Sequence, residues 1–169
     1  REGICSAIAA GTACGDGRCD AGGRCSLPTP SWSRSFGGSG TVFARSLARG
    51  PDGSLWLGGY CSDEVTFAST HSCGGFAAFV APLGPDGTPA PEPFVSGDSA
   101  VRAVEAVATN ASGDVFAGGL FKNALSLAGV TLNHPGTQHN GFGLALPEPT
   151  WVHVLAGIGG QREIVSLAV

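Results

Sequence analysis

Methionine is absent from the 169 residues, lysine occurs once, at Lys122, and tyrosine once, at Tyr60. Charged residues make up only 13% of the chain, and 13 acids against 9 bases leave a formal net charge of −4. So few cations cannot form a basic stripe along a phosphate backbone, which speaks against nucleic-acid binding. No apolar run approaches the roughly 18 residues that a membrane-crossing helix needs, so no such membrane span is expected. There is no Cys-x-x-Cys pair and no Gly-x-Ser-x-Gly turn, the usual marks of a zinc knuckle and of a hydrolase nucleophile elbow. No segment joins helical caps to a helical period. The helix formers at 100–108 come nearest, but their match to 42–48 makes them a strand. The missing initiator Met, and the lack of a charged-then-apolar leader before Cys5, lead to the expectation that a signal peptide was removed or never included.

What is present is turn chemistry and cysteine. Glycine and proline, 28 and 11 in number, make up close to a quarter of the chain, while 43% of it is hydrophobic. Such a chain should fold rather than stay disordered. Eight arginines against one lysine, with much Ala, Gly and Pro, match the bias of a high-GC bacterial genome. The cysteines number six, and Cys5, Cys14, Cys19 and Cys25 crowd the leading segment, 1–31. An even count in this pattern reads as a disulfide framework and hence an oxidising compartment, extracellular or at the cell surface. Zinc is the competing reading, but the spacings form no knuckle and no histidine precedes His71. Segment 1–31 holds only Ile4, Ile8 and Leu27 as large aliphatics, too few for a core without cross-links. The prolines at 28 and 30 then mark a linker, so the expected domains are 1–31 and 32–169. Four cysteines allow three pairings, between which the sequence does not choose. The interleaved pattern, Cys5 with Cys19 and Cys14 with Cys25, is the working expectation.

From Trp32 onward the chain repeats itself. Ser46-Leu-Ala-Arg-Gly-Pro-Asp-Gly53-Ser-Leu-Trp-Leu-Gly-Gly59 is answered by Ala106-Val-Ala-Thr-Asn-Ala-Ser-Gly113-Asp-Val-Phe-Ala-Gly-Gly119. Leu47 and Val107, Gly53 and Gly113, Gly59 and Gly119, and Phe67 and Leu127 all share one offset of sixty positions. The match of Phe76 to Phe142 is longer by six, which puts an insertion in a loop at 130–139. A third unit opens at Trp151 and reaches Ser166-Leu-Ala-Val169, matching Trp32 through Ala48. Short apolar runs between Asp-Gly, Ser-Gly and Gly-Gly turns read as antiparallel strands. The expected strands are 32–36, 42–48, 55–60, 76–83, 92–96, 101–109, 115–120, 141–146, 151–155 and 163–169. The paired glycines at 58–59 and 118–119 read as tight strand ends.

This unit, Trp…Phe-Gly-Gly…Ser-Leu-Ala…Pro-Asp-Gly-Ser-Leu-Trp-Leu-Gly-Gly-Tyr…Gly-Gly-Phe-Ala-Ala-Phe-Val-Ala, resembles the bacterial β-propeller repeat family of secreted and surface proteins. The resemblance covers 32–169. It implies an all-β fold of four-stranded antiparallel blades, with the 42–48 strand innermost and the Trp32 type outermost. About two blades, a leading outer strand and a trailing inner strand are expected, an open or truncated array, because propellers close with roughly 4 to 8 blades. The Cys-rich start is similar to short modules of myxobacterial-type surface proteins. Cys61 and Cys73 depart from the repeat pattern, and a local disulfide clamp is expected because both flank one connection and no other cysteine follows Cys25.

The chemistry-bearing residues are weighed one by one. Pro51-Asp-Gly53 and Pro85-Asp-Gly87 offer one carboxylate each, too few for calcium, and read as turns. Asp16 and Asp20 form a closer pair, yet solvated acids on a disulfide loop explain them. His134 and His139 share the expected insertion without a third ligand, while His71 and His153 are distant in sequence, so no metal and no cofactor is expected. Asp63 and Glu64 are merely adjacent, not a converging carboxylate pair. Trp32, Trp56 and Trp151 could stack on a carbohydrate, but recurrence of Trp32 and Trp151 at equivalent positions suits packing better. The expectation is an exported, non-enzymatic binding or structural module whose partners are further blades or another chain at exposed sheet edges. A secreted hydrolase or lyase with its site on blade loops, or a self-assembling subunit, are the alternatives, and fold alone does not separate them.

Overall fold

The structure is a computed structural model that describes residues 13–14, 17–19, 21–22, 24–26, 32–96, 102–134, 139–147, 152–155, 164 and 166–167. The chain divides into two compact units, Arg1–Ser33 and Arg34–Val169, a boundary slightly beyond the one expected from the prolines. The first unit contains three short antiparallel strands, β1 (Ala13–Cys14), β2 (Gly17–Cys19) and β3 (Cys25–Ser26), in that order in one sheet. Cys19 stands opposite Cys25 in the register.

The second unit is all-β and antiparallel. Its first sheet runs β4 (Val42–Arg49), β5 (Leu55–Thr66), β6 (Thr70–Leu83) and β7 (Phe94–Val95), neighbours in space as in sequence. Its second sheet takes β8 (Arg102–Thr109), β9 (Val115–Phe121), β12 (Asn140–Leu146) and β13 (Val152–Leu155). A separate hairpin, β10 (Asn123–Leu127) and β11 (Val130–His134), is inserted between β9 and β12. The turns explain why the chain reverses where it does. At Gly50, Gly84 and Asn110 the amide donates to the carbonyl four positions on, while the amides of Gly53, Gly87 and Gly113 donate back. Those three glycines have φ of 86°, 77° and 91°, the left-handed region where a Cβ is penalised.

The repeat interval is built into the backbone. Bulges interrupt β4 between Ala44 and Ser46 and β8 between Val104 and Ala106. Asp63 and Asn123 take φ of 58° and 64°, a conformation that Asp and Asn tolerate better than most side chains. The paired glycines sit within β5 and β9, not at strand ends as expected. A Cβ on Gly59 would run into the Phe43 carbonyl oxygen, and one on Gly119 into that of Ala103. The bulged strand therefore lies close against its neighbour, and only glycine leaves the room.

Sheet packing uses the other glycine of each pair. Across the space above Gly58 lie Val104 and Val107, so a Cβ there would come within 2.7 Å of Val104 Cγ1. These two valines join Ala78, Val80, Phe121, Phe142 and Leu144 in the buried core between the sheets. The opposite face of the first sheet has its own cluster, with Val65, Phe67, Ala77 and Phe79 around Cys61 and Cys73, and Phe36 resting on Phe67 at 5.3 Å. Fully burying a side chain such as Phe79 or Phe142 contributes about 1.5–3 kcal/mol.

Several expectations need correction. Residues 32–36 form no strand, and only Gly37 bridges to Thr66. That stretch runs past the β5–β6 hairpin so closely that a Cβ on Gly38 would strike the Glu64 carbonyl, and residues 33–35 are exposed. At the other end, Ile164, Ser166 and Leu167 are not in a strand, and the rest of 163–169 lies outside the described residues. Phe142 corresponds to Phe79 instead of Phe76, since Gly59 pairs with Phe79 as Gly119 pairs with Phe142. Phe79 and Phe142 are both fully buried, whereas Phe76 is exposed. On that pairing the insertion is half as long as the sequence match implied, and Val130–His134 is a strand, not a loop.

Replacing Gly59 or Gly119 by alanine should therefore cost about 1–3 kcal/mol, the range for overpacking a filled site. Urea unfolding checks this, with Gly129→Ala as a contrast because nothing lies within 4 Å of a Cβ there. Gly129 has φ of 77°, so its cost should reflect backbone conformation alone.

Candidate functional site

The structure joins Cys61 to Cys73, with both sulfurs bonded at 2.11 Å and the Cα atoms 5.8 Å apart. Both residues are wholly buried. They lie inside β5 and β6, not on a loop between shorter strands, and the bridge spans the stretch where register shifts at Cys61, Asp63 and Glu64 weaken the ladder. The second sheet places Phe121, the counterpart of Cys61 one repeat later, at this point, packed edge-on against Phe142 at 6.2 Å. Cys19 and Cys25 each take part in a disulfide. Cys5 and the side chain of Cys14 lie outside the described residues, as do Asp16 and Asp20.

The two Pro-Asp-Gly carboxylates are turn-builders. Asp52 Oδ1 accepts from the Ser54 amide at 3.0 Å and hydroxyl at 2.6 Å. Asp86 accepts from the Thr88 amide at 3.0 Å and hydroxyl at 2.7 Å. The Ser54 hydroxyl and amide hold Asp52 below the ordinary aspartate range, and the Thr88 amide and hydroxyl do the same for Asp86. Asn110 plays this part in the third turn, accepting from the amides of Ser112 and Asp114.

The histidines do not converge in the part of the molecule that is described. His139 is half-buried just before β12, while the side chain of His134 lies outside the described residues. His153 is exposed on β13. His71 Nε2 lies 2.8 Å from Ser69 Oγ, and that hydroxyl donates to the Pro91 carbonyl at 3.2 Å. Asp63 and Glu64 stand exposed on the hairpin, Glu64 accepting from Ser39 Oγ at 3.4 Å. Among the described residues no group of three or more His, Cys, Asp or Glu could hold a metal. Of the tryptophans, Trp56 packs on the core between the sheets, Trp32 is half-buried, and Trp151 lies outside the described residues.

A different cluster, missed by sequence reading, gathers at one end of the seam between the sheets. Phe43 on β4 pairs with Tyr60 on β5, their rings stacked at 4.8 Å and 28°. Phe76 on β6 follows at 6.1 Å from Tyr60. The Arg45 guanidinium lies 5.3 Å from the Tyr60 ring centre and 6.0 Å from that of Phe43, within cation–π range. Its Nε meets Glu105 Oε2 at 3.6 Å. Arg45 and Glu105 are the extra residues of the two bulges, one repeat apart, which is why they meet across the seam. The periodicity of the bulges was a signal for this pairing; nothing in the sequence marked the aromatic row.

No protein-family model matches the chain, and no curated protein matches it.

Two outcomes follow. A Cys61→Ala, Cys73→Ala double variant should lose about 3 kcal/mol in chemical unfolding, as expected for opening a loop of this size. In a carboxyl titration followed by NMR, Asp52 and Asp86 should titrate below the ordinary aspartate value of about 3.9, and Ser54→Ala should raise Asp52. A depressed folded-state value means that this contribution to stability is present above the unfolded value and is lost as pH falls through the folded one.

Proposed function

We propose that residues 32–169 are β-propeller repeats of an exported, non-enzymatic module that binds or organises other protein. One observation carries this reading: the sheet-to-sheet contact recurs at the repeat interval. Val104 covers Gly58, and Ile164, one interval later, covers Gly118, where a Cβ would lie 2.8 Å from Ile164 Cγ2. The Ile164 amide also reaches the Gly119 carbonyl at 3.4 Å. Ile164 thus approaches the second sheet as Val104 approaches the first, in the manner of units stacked along an array. Ser46 Oγ accepts from the Val107 amide at 2.9 Å and Thr109 Oγ1 donates to the Arg49 carbonyl at 2.7 Å, so the two inner strands are tied side by side.

The same logic identifies a surface that awaits a neighbour. Val107 is 7% exposed because it is inserted into the preceding sheet, while Leu47, its counterpart one repeat earlier, is 58% exposed. A further sheet docking on that face would bury Leu47 as Val107 is buried. Val154 and Leu155 on the edge strand β13 are exposed as well, and an unpaired edge invites pairing with another chain. The buried disulfide accords with export to an oxidising compartment.

Size-exclusion chromatography with light scattering on the whole chain tests the reading. Self-association that grows with concentration and is reduced by Leu47→Lys is the expected result. A stable, cooperatively unfolding monomer of 16.8 kDa, indifferent to Leu47→Lys, would overturn it.

A further inference from the structure

The aromatic row at the seam is not demanded by the repeat. Phe43 corresponds to Ala103 in the next unit, and the second sheet has no ring there. Phe76 falls where the two repeats differ in length. Yet Phe43 and Phe76 are each 45% exposed, flanking the half-buried Tyr60. Large apolar side chains left in water as a contiguous group mark a surface that meets something.

Polar groups beside the rings define what that is. The Arg45 side chain, 46% exposed, is fixed over Tyr60 and Phe43 while Glu105, 17% exposed, holds its Nε. A guanidinium therefore lies over ring faces with a carboxylate paired to it, one able to donate and the other to accept. Their opposite charges leave the pair with no net charge, so it does not single out a phosphate, a sulfate or a nucleic acid over a neutral ligand. The ring set contains no aliphatic side chain of the kind that lines a groove for an apolar helix. What matches flat C–H-accepting rings rimmed by a neutral donor–acceptor pair is a pyranose, apolar on its ring face and hydroxylated at its edge.

We propose that Phe43, Tyr60, Phe76, Arg45 and Glu105 form a binding site for a neutral polysaccharide. The exposed surfaces of Phe43 and Phe76 pack on the sugar faces, Tyr60 holds the row together between them, and the Arg45–Glu105 pair exchanges hydrogen bonds with hydroxyls. The proposal builds on the binding-module reading; its three rings lie outside the buried core between the sheets, while Arg45 and Glu105 are also the ion pair across the seam.

Calorimetric titration of the whole chain with cellohexaose, chitohexaose, mannohexaose and galactohexaose is the test. Saturable binding to at least one is expected, weakened at least tenfold by Phe43→Ala and by Phe76→Ala. Arg45→Ala should weaken it more than Arg45→Lys. Phe43→Ala installs the residue that the second repeat already carries at this position, and thermal unfolding checks that each variant remains folded; Phe76→Ala removes an exposed ring and gives a second, independent variant. No binding to any of the four at millimolar concentration would overturn the proposal, as would binding that folded Phe43→Ala and Phe76→Ala variants leave unchanged. Preferential binding of an apolar peptide or of a sulfated glycan over the neutral probes would also overturn it. Any of these results leaves the association measurement with Leu47→Lys untouched, so failure here is distinct from failure of the repeat reading.

Discussion

One missing side-chain carbon at each glycine of two pairs, 58–59 and 118–119, sets how closely the strands and sheets of the larger unit approach. At Gly59 and Gly119 the bulged strand, β4 or β8, drives a carbonyl against the neighbouring strand, and at Gly58 the next sheet drives in its valines. Hydrophobic burial supplies the force, but it acts only at contact distance, and the glycines permit that contact. With the pair in place, Val104 and Val107 reach the core and Ser46 comes within hydrogen-bonding range of Val107. Remove the space and the sheets must separate along the whole seam.

How the hairpins are secured differs between the two repeats, although they share a backbone plan. The first extends β5 and β6 well beyond the body of the sheet and bolts them with Cys61 and Cys73. In the second, the ladder stops at Phe121 and resumes as β10 and β11, anchored by Leu125 and Leu127 in the core. Val65 and Phe67 are the matching anchors one repeat earlier. A covalent bridge in one case and an aromatic plug in the other fill the same place, which frees the rest of the hairpin surface to vary.

Much of this was legible because turn chemistry punctuates the strands. Pro51-Asp-Gly53 and its counterparts bracket Val42–Arg49, Leu55–Thr66 and Val115–Phe121 so sharply that these strands start where the sequence places them. Strand ends were harder to read, because the alternation toward Val65 and Phe67 is broken by the shift at Asp63, where one residue drops out of phase. The β10–β11 hairpin carried a usable signal in Leu125, Leu127 and Leu132, hidden by the assumption that the repeats diverge there by insertion. Gly-Gly-Phe76 and Asn-Gly-Phe142 look alike as strings, but burial selects Phe79 as the true counterpart. The aromatic row could not be seen, since Phe43 and Tyr60 become neighbours only through the register of β4 on β5.

The ion pair at the bulges also labels the repeats. Position 45 carries a cation and position 105 an anion, and they occupy the same place in successive units. Two copies of the first repeat set side by side would bring arginine against arginine, and two copies of the second would bring glutamate against glutamate. Identical plans invite units to exchange places during folding, the characteristic failing of repetitive chains. Opposite charge at positions 45 and 105 favours the first repeat beside the second over either repeat beside its own copy.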